Sequence, residues 1–171
     1  MKSPKLSAAK QFASIEAWTI LGTSFEMGAF GLWTYANNFA RSAKALPPIV
    51  ERFEPVNFYL ICHALELALK AFLSLEGSKL IDLAGGAYGH DLSKLLAAAD
   101  SQGLSRYCDV TDEHRLEIIK ATTYYAGKVF EYPAMGEALS AYPHLPILST
   151  LVSATDALVA GLQEPCTNIK A

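Results

Sequence analysis

Residues Val56–Leu75 read VNFYLICHALELALKAFLSL, a run apolar nearly all the way round a helix. At about 100° per residue, Tyr59, His63, Glu66 and Lys70 fall within roughly 60° of one another. Phe58, Leu60, Ile61, Leu65, Leu67, Leu69, Phe72 and Leu73 cover the remaining circumference. A helix covered in this way touches neighbours on most sides and sits at the centre of a bundle. The four polar groups left on one line of it must be paired, or must border a groove that water or a ligand enters.

Outward from this helix, the chain reads as further helices. Met27–Leu46 carries Phe30, Trp33, Ala36, Ala40 and Ala43 at helical spacing, with Asn37, Arg41 and Lys44 on the wet side. Pro47-Pro48 ends it. Gly77 stops the central helix. After a glycine-rich loop holding Leu80–Leu83, Asp91 is placed as the N-cap of a short helix whose apolar face is Leu92, Leu95, Leu96 and Ala99. Thr111 or Asp109 caps the next, which presents Leu116, Ile119 and Thr123 on one side and favours Asp112 and Glu113 at its positive end. Gly127–Pro143 is rich in loop residues. The last helix has Pro146 in its first turn, recurs through Leu148, Leu151, Val152, Thr155, Leu158, Val159 and Leu162, and is closed by Gly161 and Pro165. No alternating strand pattern appears. The expectation is an all-α fold, an antiparallel four- to five-helix bundle over residues 25–165, preceded by an arm or short helix over residues 1–24.

At 171 residues, half of them apolar, the chain can bury one sizeable core. A formal charge of −3 argues against a broadly basic nucleic-acid surface, although Arg41, Lys44 and Arg52 cluster mildly. The three cysteines, Cys62, Cys108 and Cys166, match neither zinc nor redox spacing and read as reduced thiols. No secretory or membrane-spanning pattern is read from the sequence, so a cytoplasmic protein without a membrane partner is expected.

The polar stripe has two readings. Glu66 and Lys70, spaced i,i+4, form either a solvent strip stabilised by an ion pair worth roughly 0.3–0.5 kcal/mol, or the wall of a groove in which Glu66 orients His63 and Lys70 meets an anion. His90-Asp91 follows the glycine loop. There Asp91 serves as a cap, and His90 is placed to reach the stripe. His63, His90, Glu66 and Asp91 do not make a metal set, since the carboxylate bundles need the Glu-x-x-His order twice. Neither a serine elbow nor a phosphate-binding glycine loop nor a dinucleotide fingerprint occurs. Tyr124, Tyr125, Tyr132 and Tyr142 either pack the seams of the bundle or stack on a base.

Three strings carry a family resemblance. His63-Ala64-Leu65-Glu66-Leu67-Ala68-Leu69-Lys70 resembles the apolar helix, with embedded Glu and Lys, of the HEPN superfamily of small helical domains. Gly89-His90-Asp91-Leu92 is similar to its "GHDL" helix start. Phe130-Glu131-Tyr132-Pro133 resembles the segment before its last helix, with Glu131 in place of a basic residue. The resemblance spans roughly residues 27–160 and implies a bundle that is often a homodimer. Some HEPN proteins are metal-independent ribonucleases, and others partner a nucleotidyltransferase. The ribonucleases carry an Arg followed, after four to six residues, by a His, and this chain lacks that spacing. Arg106 and His114 are the nearest approach, with seven residues between them.

The resulting expectation is a non-catalytic, HEPN-like domain that binds a nucleotide, nucleic acid or protein partner. The setting implied by the resemblance is a toxin–antitoxin or nucleotidyltransferase-associated system. His63, Lys70, His90 and Tyr132 are the expected ligand-facing residues, with Glu66 and Asp91 orienting them and no cofactor or metal. The alternatives are a diverged ribonuclease using His114 or His90 with Arg106 or Arg115, and a purely structural dimerisation subunit.

Overall fold

The computed structural model describes residues 19–20, 23–24, 28–47, 53–83, 88–132, 142 and 144–168. Five α-helices pack together: α1 (Ala29–Ala45), α2 (Pro55–Leu75), α3 (Leu92–Ser101), α4 (Asp112–Ala126) and α5 (Leu148–Thr167). A short 3-10 turn, Leu104–Arg106, joins α3 to α4. Before α1, Thr19–Ile20 pairs antiparallel with Thr23–Ser24 over two residues. Most of the arm or short helix expected over residues 1–24 lies outside the described residues, as does most of the loop-rich stretch after Tyr132.

The central position of α2 follows from its composition. It packs most extensively on α1, then on α5 and α3, and also touches α4. Pro55 occupies its first turn, where a missing N–H costs nothing. At its far end Ser78 N–H donates to Leu73 C=O, and Gly77 takes a φ of +95°, the left-handed value that a residue with a Cβ resists. Phe58, Ile61, Leu65, Leu69, Phe72 and Leu73 are buried on several sides of this one helix. Its length and hydropathy also meet those of a membrane span, a test that the buried core helix of a bundle passes equally.

Two expectations about faces and one about a helix end need correcting. On α1 the buried line is Ala29, Leu32, Ala36, Ala40 and Ala43, and Phe30 stands exposed. Small side chains let the α1 backbone close on α2, so the bulky Phe30 is turned away. Trp33 keeps an inward role, its Nε1–H donating to Val159 C=O at 2.9 Å. Trp33→Phe retains the ring and loses this bond, and is expected to lower stability by about 1 kcal/mol in urea unfolding.

On α4, Leu116, Ile119 and Thr123 face outward, whereas Glu117, Ile118, Ala121, Tyr124 and Tyr125 face the core. Glu117 is drawn in because its carboxylate accepts from the Ile147 N–H at the head of α5 (2.7 Å) and from Lys120 Nζ (2.6 Å). Finally, α5 does not close at Gly161. It runs through Gly161 and Pro165 to Thr167. Gly161 is instead the point of closest approach to Tyr107-Cys108.

Candidate functional site

Three elements of the fold meet at the Glu66 carboxylate. α2 supplies Glu66 with His63 one turn before it and Lys70 one turn after. The turn ahead of α3 supplies His90, and the last turn of α4 supplies Tyr125. Lys70 Nζ donates to Oε1 at 2.5 Å. Tyr125 OH donates to Oε2 at 2.5 Å, and His90 Nδ1 lies 2.9 Å from the same oxygen. His63 Nδ1 is 2.9 Å from the Tyr125 hydroxyl and 3.7 Å from Oε2.

Local structure explains how each group arrives. Gly89 adopts a φ of +52°, closing a turn in which Asp91 N–H donates to Tyr88 C=O and His90 is thrown towards α2. Asp91 then caps α3, accepting from Lys94 N–H at 3.0 Å and from Ser93 Oγ at 2.7 Å. The His63 ring is held between the face of Tyr59, 8° from parallel, and the edge of Phe39 on α1.

Glu66 and Lys70 are 2 % and 6 % exposed, so the stripe is not a solvent strip, and the small energy of an exposed helical pair does not apply. The reason is non-local: the α3 turn and Tyr125 cover the line that the α2 sequence leaves polar. Burial alone pushes the Glu66 carboxyl up, but the nearby His63 ring, the Lys70 ammonium and the hydrogen bond from His90 outweigh it and hold the group far below its ordinary value of 4.5. Glu66 is therefore an anion at neutral pH. For Tyr125, burial and then the Glu66 charge push the phenol well above its ordinary value, so its proton stays on the oxygen. Burial, then Glu66, likewise pushes the Cys62 thiol far up, consistent with a small core residue.

These protonation states fix the tautomers of both histidines. The carboxylate can only accept, so the His90 nitrogen facing it is Nδ1–H. Tyr125 has one proton and gives it to Glu66, so its oxygen accepts from His63, whose Nδ1 also carries hydrogen. Both rings thus turn Nε2 outward. Among the described residues no protein group bonds to either Nε2, and every buried polar side-chain atom has a partner. The His63 and His90 side chains are 23 % and 54 % exposed, so the cluster is open to the surface on the histidine side.

Of the residues expected at the site, His63, Glu66, Lys70 and His90 come together. Lys70 faces Glu66 and not the solvent. Asp91 stands beside the cluster as a cap, and Tyr132 lies at the surface in the turn after α4, outside the hydrogen-bonded set. Tyr125 is the member that sequence reasoning missed. Tyr124 stacks on Phe130, and Tyr142 on Phe53, as seam packing predicts. Arg106 is tied to Gln102 and Gly103 carbonyls and to Glu76, and Arg115 to Asp100 and the Val110 carbonyl. His114 belongs to the capping box with Thr111 and touches Ser153. No group of three or more His, Cys, Asp or Glu suited to a metal occurs among the described residues. Comparisons with family models, with curated proteins and with solved structures return no match for this chain.

Proposed function

We propose that this chain is a HEPN-like antiparallel bundle that acts as a non-catalytic binding domain, taking a nucleotide or RNA phosphate where His63 and His90 emerge. One observation carries the reading: a single buried carboxylate gathers two part-exposed imidazoles from different elements. The rings, and not Lys70, are the groups left to meet a ligand, because the Lys70 ammonium is committed to Glu66. The homodimer and the toxin–antitoxin or nucleotidyltransferase-associated setting belong to the same proposal and rest on the family resemblance alone. The ribonuclease alternative draws less support. Arg106, Arg115 and His114 each hold structural contacts that do not join an arginine to His90 or to one another's site.

The test is an NMR titration with 5′-nucleotides and a short oligoribonucleotide, following the two imidazoles. Loss of a charge-assisted hydrogen bond weakens binding by about tenfold or more, and that is the expected effect of His63→Ala and of His90→Ala. Unchanged affinity in both variants overturns the site. Metal-independent RNA cleavage lost in His90→Ala overturns the non-catalytic reading.

A further inference from the structure

We propose a second binding site, separate from the histidine cluster, in the open cleft between the 3-10 turn and the end of α5, where a small primary amine docks as its ammonium ion. Arg106, Tyr107, Gly161, Glu164, Pro165 and Asn168 line this cleft, whose volume is about 470 Å³. Its wall holds acceptors that the protein leaves unfilled. In a regular helix the N–H of residue 165 donates to the carbonyl of residue 161, but Pro165 has no N–H to give. The Gly161 carbonyl points along the helix towards Pro165 without that partner. Across the crossing, the Tyr107 carbonyl oxygen stands directly against Gly161, and no backbone N–H among the described residues donates to it. The Glu164 carboxylate is exposed and pairs with nothing among the described residues.

Charge decides which donor fits. α5 ends here, and the carbonyls of its last turn add partial negative charge to that of Glu164. Arg106 is the only cation in the wall, and its guanidinium is already engaged. Nη2 lies 3.1 Å from a Glu76 carboxylate oxygen and donates to the Gln102 carbonyl at 2.7 Å, while Nε donates to the Gly103 carbonyl. An anion would therefore meet Glu164 with no free positive charge to offset it. A metal such as Ca²⁺ wants about 6–8 oxygen ligands, more than this wall supplies. A primary ammonium has three N–H donors, which match the two carbonyls and Glu164. Its alkyl stem then runs along Pro165.

An amide NMR titration with putrescine tests the site. Tetramethylammonium, charged but without N–H groups, and butanol, which carries no charge, serve as controls. Putrescine should shift the Tyr107, Gly161 and Asn168 amides saturably, and the controls should not. Glu164→Gln should weaken putrescine binding by about tenfold, the effect of losing one charge-assisted hydrogen bond. Pro165→Ala returns an N–H to the Gly161 carbonyl, so it should weaken binding by about threefold or more while raising the melting temperature. That opposed pair of changes is what a merely structural proline would not produce. Absence of a saturable shift overturns the site, and tetramethylammonium acting as putrescine does overturns the hydrogen-bonded geometry. Unchanged affinity in Pro165→Ala removes the Gly161 carbonyl from the site and overturns the three-acceptor match. Tighter binding of N-acetyl-lysine methylamide than of putrescine replaces the free amine with a lysine side chain of a polypeptide. Nucleotide binding is read at the two imidazoles, so the two proposals fail separately.

Discussion

Glu66→Ala will lower the unfolding free energy by about 3–5 kcal/mol, the usual cost of removing one partner from a buried ion pair. The loss is large because three groups bond to one carboxylate. Lys70, 6 % exposed, is left as an uncompensated buried charge, and Tyr125 and His90 lose their acceptor. Urea unfolding at neutral pH measures the effect, and the double variant Glu66→Leu/Lys70→Leu identifies its source. If stranded charge dominates, the double variant should recover about 1–4 kcal/mol relative to Glu66→Leu alone. Equal instability in both would shift the cause to Tyr125 and His90.

The same carboxylate sets a pH dependence whose sign is fixed. Its folded value lies below the unfolded value of about 4.5, so the unfolded chain binds the proton more readily. The stabilisation is fully present above the unfolded value and is lost as pH falls through and below it towards the folded value. Wild-type stability should therefore drop steeply in acid. Glu66→Gln starts lower at neutral pH and declines less over that window, so the two curves converge. Parallel curves would mean that Glu66 is not held ionised by its partners.

How legible this site was depends on how local its causes are. The limits of α2 follow from Pro55, the apolar run and Gly77, and the start of α3 from Asp91, all within a few residues of the feature they determine. Glu66, Lys70, His63 and His90 could be placed near one another because three lie on one helix and the fourth on a turn that returns to it. Their burial could not be read, since it is caused by Tyr125 arriving from a different helix, some sixty positions away. Tyr125 did leave a trace: a buried carboxylate has more lone pairs than His63 and Lys70 can fill, so a further donor had to exist. The inward face of α4 was hidden for the same reason. Glu117 looks like a surface residue until the Ile147 N–H, thirty residues on, gives its carboxylate a buried partner.

Gly161 shows the same limit in reverse, and it yields the second large effect. Near the end of an apolar run a glycine reads as a helix stop, yet α5 continues for six residues beyond it. Its missing side chain serves a crossing. A Cβ at this position would stand 2.3 Å from the Tyr107 carbonyl oxygen, 2.8 Å from Cys108 Sγ and 3.1 Å from Cys108 Cα. The first of these is a backbone atom, so no rotamer change relieves it, and α5 or the Tyr107-Cys108 segment must move. Helix propensity alone would make Gly161→Ala stabilising by about 1 kcal/mol. Overpacking of this kind costs about 1–3 kcal/mol and occasionally more, and contact with a rigid carbonyl places it at the upper end. A net loss of about 2 kcal/mol is expected, lowering the melting temperature by about 4–8 °C in a chain of this size. The displaced segment includes Cys108, whose Sγ lies 3.8 Å from the Leu158 carbonyl, so faster thiol labelling should accompany the loss. A melting temperature at or above wild type would show that propensity wins and that the helices do not cross this closely. Because the crossing lies apart from the Glu66 cluster, Gly161→Ala should still bind nucleotide below its melting temperature, whereas Glu66→Ala should lose binding together with stability.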